Sequence, residues 1–266
     1  MNNIFQKTLS ILIAMSALSV FSVAETSSNP MVIKDTMKLI NIAGKQRMLS
    51  QRIAKDYLYA GKKISTSKAK KQLKDSLDEV MASHKLLVQS INDEEIRNLL
   101  AFVEMGTEDF EATANEPFNI DNAQLVIDLS ESMLEGSEYI VQSLKETISK
   151  SESKIVEIAG RQRMLGQRIA KYYIAYQSGI KDKNTVEQMN QAVKDFSDTH
   201  EKLMKNQINT PAINAKLNSI DRLWKIVYKF YLNIEKGGLP LIVFNTTDNI
   251  SKKMDAVSKL YIELYK

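Results

Sequence analysis

An all-α fold of two tandem antiparallel four-helix bundles is what three features of the 266-residue chain predict. The first is composition: four prolines and nine glycines stand among abundant Lys, Glu, Leu, Ala and Gln, with no hairpin signature and no strand alternation. The second is an internal repeat. Ile42-Ala43-Gly44-Lys45-Gln46-Arg47-Met48-Leu49-Ser50-Gln51-Arg52-Ile53-Ala54-Lys55 returns as Ile158-Ala159-Gly160-Arg161-Gln162-Arg163-Met164-Leu165-Gly166-Gln167-Arg168-Ile169-Ala170-Lys171, an offset of 116 residues. The third is a set of apolar stripes in alternating steps of four and three, the pattern of helices facing a bundle core.

Residues 1–24 read as a secretory signal peptide. Lys7 is followed by an apolar run from Leu9 to Val20 and by the small-residue site Ser22-Val23-Ala24, too short and wrongly flanked for a membrane span. Cleavage after Ala24 would deliver a periplasmic protein; retention as an uncleaved anchor is the alternative. With no cysteine, the exported chain depends on its cores and not on disulfides. The formal charge of +4 is spread without a long basic tract, which argues against nucleic acid as the partner.

The first domain, 31–147, opens with the helix that carries the first box and ends at the Gly61 to Ser67 punctuation. A second helix follows with the stripe Leu73, Leu77, Val80, His84 and Leu87. Asn92-Asp93 and Asn115-Glu116-Pro117 bracket a third, and a fourth starts near Asp121. The second domain, 148–266, repeats the order. Its second helix carries Met189, Val193, Phe196, His200 and Leu203, matching the first stripe at the same offset. Thr210-Pro211 reads as an N-cap and first helical residue. The third helix carries Ile213, Leu217, Ile220, Trp224, Val227, Tyr231 and Ile234. No proline interrupts Asp121 to Tyr176, so the two bundles are expected to be joined by a long continuous helix of roughly 80 Å. A break near Ser149 to Ser153 would instead let the copies lie side by side about a pseudo-twofold axis.

On a helical wheel the box splits into two faces. Ile42, Leu49, Ile53 and Tyr57 point to the bundle core. Gly44, Arg47, Gln51 and Lys55 lie opposite, repeated as Gly160, Arg163, Gln167 and Lys171. A packed core tolerates swaps among apolar residues of similar volume and does not demand identical polar letters. A helical glycine costs about 1 kcal/mol relative to alanine, so its presence calls for close approach by a helix or ligand. Arginine offers a planar fork of donors suited to oxyanions and carboxylates. The eight residues are therefore candidate ligand-binding residues for a small anion held between two arginines. Two other readings stand beside this one. The stripe forms a solvated helix face, or it forms a helix-docking surface that needs no small molecule.

The box resembles the signature of the PilJ type, the N-terminal domain of type IV pili methyl-accepting chemotaxis transducers, in two tandem copies. It is also similar to the periplasmic P-box of the NarX type of nitrate/nitrite sensor kinase. The resemblance implies a periplasmic four-helix sensor in which Arg47 and Arg163 contact the anion. Those kinases carry a lysine where this chain has Ile42 and Ile158, so the ligand is left as a nitrate-like oxyanion or a carboxylate. The expected partners are that anion, a second copy in a homodimer and a membrane-bound signalling protein.

His84 and His200, the only histidines, occupy equivalent stripe positions. They read as a polar layer within each bundle, with a pH-sensitive or metal-linked pair as the alternative. No nucleophile with a nearby base, Gly-rich phosphate loop or HExxH motif is present, so neither catalysis nor a cofactor or metal is expected.

Overall fold

The computed structural model describes residues 30–148 and 150–265, and the signal-peptide reading of 1–24 lies outside them. The described residues form eight α-helices and one 3₁₀ turn with no strand. Four helices make the first group: α1 (Pro30–Gly61), α2 (Thr66–Ser90), α3 (Glu94–Asn115) and α4 (Ile120–Glu146). The second holds α5 (Lys150–Gln177), α6 (Lys183–Met204), α7 (Pro211–Tyr231) and α8 (Pro240–Glu263). Among them, no helix is long and apolar enough to cross a membrane.

Local chemistry sets the helix starts. The side chains of Asp93, Asn119, Asp182 and Thr210 each accept the backbone N–H three residues on, satisfying donors the first turn would leave orphaned. Pro211 follows Thr210 at the first helical position, as the sequence indicates. The predicted stripes all turn inward: Leu77, Val80 and Leu87 of α2, Met189, Phe196 and Leu203 of α6, and Ile213, Leu217, Ile220 and Val227 of α7 are buried. The Trp224 ring lies 4.2 Å from Phe196 and 5.7 Å from Tyr231, so the aromatics of α7 are core, while Tyr228 reaches the surface.

In the first group α1 packs against α2 and α4, and α3 against α4; in the second, α5 packs against α6 and α8, and α7 against α8. The most extensive contact joins the groups, between α1 and α5. Hydrogen bonds fix the directions. Arg47 bonds Glu138 while Gln51 bonds Ser130, so α4 runs antiparallel to α1. Arg163 bonds Asp255 while Gln167 bonds Ser251, so α8 runs antiparallel to α5. Lys34 meets Glu263 and Lys55 meets Asp248, so α8 is antiparallel to α1 as well. Hence α1 and α5 are parallel and in register, about a pseudo-twofold axis along their length.

The expected continuous helix is therefore corrected. α4 ends at Glu146 and α5 begins at Lys150 with its direction reversed. The Thr147 hydroxyl and amide both turn back to the Leu144 carbonyl, at 2.8 and 3.3 Å, and the Ile148 side chain is buried. Absence of proline permitted a through-helix, but burying one box against the other requires the reversal, and Ile148 anchors it.

Gly61 closes α1 where the Phe118 ring fills the space a β-carbon would occupy. Gly61→Ala would gain helix propensity yet overpack this corner. It should lower stability by about 1–2 kcal/mol in urea unfolding, and an unchanged midpoint would refute the packing described.

Candidate ligand-binding site

α1 and α5 form the axis of the molecule, and each is enclosed on nearly all sides. The two stripes Gly44, Arg47, Gln51, Lys55 and Gly160, Arg163, Gln167, Lys171 meet each other across the interface between the groups. All eight are buried, and the six with side chains beyond glycine are 0 % exposed. The solvated-face reading is thereby overturned. A wheel drawn for one bundle separates core from outside; it cannot register that the outside of one bundle is the inside of the pair. The boxes also pair within one chain.

The glycines make room for guanidinium groups. A β-carbon at Gly44 would sit 3.0 Å from Arg47 Nη2 and 3.7 Å from Arg163 Nη2; at Gly160 the corresponding distances are 3.3 Å to Arg163 Nη2 and 3.9 Å to Arg47 Nη2. Both arginines thus converge on one crossing. Such like charges repel in a poorly solvated interior, and each is answered by acids. Arg47 Nη1 lies 2.5 Å from Glu138 of α4 and 3.5 Å from Glu157 of α5. Arg163 Nη1 lies 2.5 Å from Asp255 of α8, and its Nη2 donates to the Asn41 carbonyl at 3.1 Å. Arg47 Nε is buried without a partner among the described residues.

The titrations follow from this geometry. Burial pulls the Arg163 guanidinium below its ordinary pKa, Asp255 opposes that pull and Arg47 adds to it. Burial alone would raise the Glu138 and Asp255 carboxyls, but the arginines outweigh it and hold both below the usual carboxylate range.

Farther along, the box glutamines bond the neighbouring helix of their own group and the box lysines clasp the opposite group. Gln51 Nε2 donates to the Ser130 carbonyl at 2.9 Å and Gln167 Nε2 to Ser251 Oγ at 2.8 Å. Lys55 reaches Asp248 of α8 at 2.6 Å, with Asp56 at 3.2 Å on its other side. Lys171 reaches Glu131 of α4 at 2.5 Å and the Ser130 hydroxyl at 2.9 Å. Burial brings Lys171 down to about 8 against the pull of Glu131. Gln46 and Gln162 turn to α2 and α6, where they donate to Ser83 and to the Phe196 carbonyl and Thr199.

Sequence reasoning missed the acids: Glu131, Glu138, Glu157, Asp248, Asp255 and Asp56. At the repeat offset they fall opposite Thr247, Met254, Asn41, Ser132, Tyr139 and Tyr172, so the repeat that exposed the box hides its partners. The one available signal was physical, since four buried cations require acids on the flanking helices. His84 and His200 are both buried. His84 Nε2 lies 3.6 Å from Glu104, and His200 stacks on Phe196 with its pKa lowered by burial. Among the described residues no group of three His, Cys, Asp or Glu is arranged to hold a metal.

A model described as the type IV pili methyl-accepting chemotaxis transducer N-terminal domain, PilJ, matches residues 34–96 and 147–236, more than half of the chain. Each matched segment contains one copy of the box. No curated protein and no solved structure matches.

Arg47→Met should leave Glu138 and Glu157 facing an apolar side chain and lower stability by about 3 kcal/mol. Adding Glu138→Gln should restore part of that loss. Equal denaturation midpoints for the single and double variants would show that the pair is not coupled.

Proposed function

We propose a function that starts from the family to which the chain belongs, that of the type IV pili methyl-accepting chemotaxis transducer N-terminal domain. From that membership we propose an exported, periplasmic sensory protein in which two tandem domains of this type share one small-anion site at the crossing of α1 and α5. Signalling then passes to a membrane-bound partner. The supporting observation is the convergence of two fully buried guanidinium groups over Gly44 and Gly160, with Arg47 Nε unpartnered.

Charge balance dictates how an anion would enter. Glu138, Glu157 and Asp255 already occupy the two guanidiniums, with Lys259 on the second oxygen of Asp255, so an incoming anion would take the place of one of these carboxylates. Glu157, at 3.5 Å from Arg47, is the loosest. Exchange of Glu157 for a nitrate-like oxyanion or a small carboxylate would change a contact made between α1 and α5. It would therefore alter the seating of one bundle on the other, which is a signal that a partner can read.

Calorimetric titration of the mature protein with nitrate, nitrite and small carboxylates tests this. Arg47→Lys combined with Arg163→Lys keeps the charge, removes the forks and should abolish binding. Glu157→Gln should tighten it about tenfold, equivalent to about 1.4 kcal/mol. Binding heat indifferent to all three substitutions would rule out the site.

A second reading is favoured by the same carboxylates: the box is a docking surface whose cations are already balanced, and the protein acts as a helical adaptor without a ligand. Under it no anion in that panel shifts the melting temperature, while the double arginine variant loosens the two groups and loses partner capture.

A further inference from the structure

We propose that the chain carries a second input, proton concentration, read by the Asp56 carboxyl. Proton uptake there draws α8 of the second group onto α1 of the first. The residue stands apart from the arginine crossing, two turns further along α1, and the anion reading does not use it.

The geometry is that of a carboxyl with too little to hold its charge. Asp56 is fully buried, and neither carboxylate oxygen accepts a hydrogen bond among the described residues. Its one close cation is Lys55, at 3.2 Å, and Lys55 is shared with Asp248 at 2.6 Å. Two acids on different groups thus compete for one buried lysine. The other charged group near it on α1 is Arg52. Across from it, Asp248 of α8 is held by Lys68 and Gln72 of α2. Tyr59 of α1 also senses both acids, but burial raises its hydroxyl far above neutral pH and it donates to the Pro240 carbonyl. At the repeat position of Asp56 stands Tyr172, beside the Lys171–Glu131 pair formed by α5 and α4. The competition therefore exists on one side of the molecule only.

The direction of the effect follows. Burial raises the Asp56 carboxyl to about 7; Lys55 opposes this and Asp248 reinforces it. Asp248, by contrast, would be raised by burial but is held far below the usual range, chiefly by Lys55, and stays charged throughout. A carboxyl raised on folding favours the folded, clasped state below its folded pKa. That advantage fades as pH rises from the ordinary carboxylate range toward neutrality. Once Asp56 is neutral, Lys55 belongs to Asp248 alone, and the link between α1 and α8 is tightest. Above neutrality the ionised Asp56 pulls Lys55 back to its own helix, and α8 loses that tie to α1 and is held more loosely, by Lys68 and Gln72 of α2 and by Tyr59.

The chain has no cysteine, so an introduced pair reports this directly. Spin labels at Glu108→Cys on α3 and Asn218→Cys on α7, both exposed positions, read the separation of the two groups. Between pH 5.5 and 8.5 the distance distribution should broaden with a midpoint near 7. Asp56→Asn should remain narrow across the range, with Asp56→Ser as the second variant should Asn perturb folding. His84→Gln plus His200→Gln should keep the wild-type midpoint. A flat wild-type profile, or the same transition in both Asp56 variants, would overturn the proposal, as would its disappearance in the histidine variant.

Discussion

The meeting of Arg47 and Arg163 over two glycines is the constraint on which the remaining architecture depends. Placing two guanidiniums in one dry crossing is unfavourable unless acids arrive from outside the two helices. α4 and α8 supply them, and their antiparallel course beside α1 and α5 is what brings Glu138 and Asp255 to the right level. The reversal of direction between α4 and α5 is part of the same arrangement, because a straight passage from one into the other would separate the boxes. A side chain larger than glycine at 44 or 160 would occupy the volume the guanidiniums now share.

The fidelity of the two box copies acquires a structural explanation in these terms. Gln46 and Gln162 face inward to α2 and α6, Gln51 and Gln167 to α4 and α8, and Lys55 and Lys171 to the opposite group. Each copy sits in the same polar surroundings by pseudo-symmetry, so each demands the same letters. Apolar positions elsewhere face only a packing requirement and drift within it. The identical letters therefore mark a shared buried interface whether or not an anion also visits it.

Helix class, the core stripes and the cap at Thr210 were legible because periodicity and capping are local properties that a sequence states directly. The seam between the groups was half legible. The repeat disclosed its cations, but the polar stripe looked like an exterior because hydrophobic patterning assigns charged faces to solvent by default. The acids were invisible for a different reason: Asp248 answers Lys55 while Glu131 answers Lys171, from positions one residue out of step with the repeat. Evolving partners separately, the two sides retained the cation and changed the acid. The one-sided competition at Asp56 is a product of that divergence.

Buried ion pairs are weak evidence for stability, since well-packed apolar residues of the same volume often do as well. What they supply here is register. A parallel pair of helices faced with leucines could slide by a turn, about 5.4 Å, and still bury its surface. A slide of α5 along α1 by that amount would strip Arg47 of Glu157, part Arg163 from the Asn41 carbonyl, and draw Lys55 from Asp248 and Lys171 from Glu131 together. The interface therefore resists small, graded slips and would concede only when a pair is exchanged for something else, such as the proposed anion at Glu157 or the proposed proton at Asp56. A seam with that property converts a local change of charge into a discrete change in how two bundles sit together.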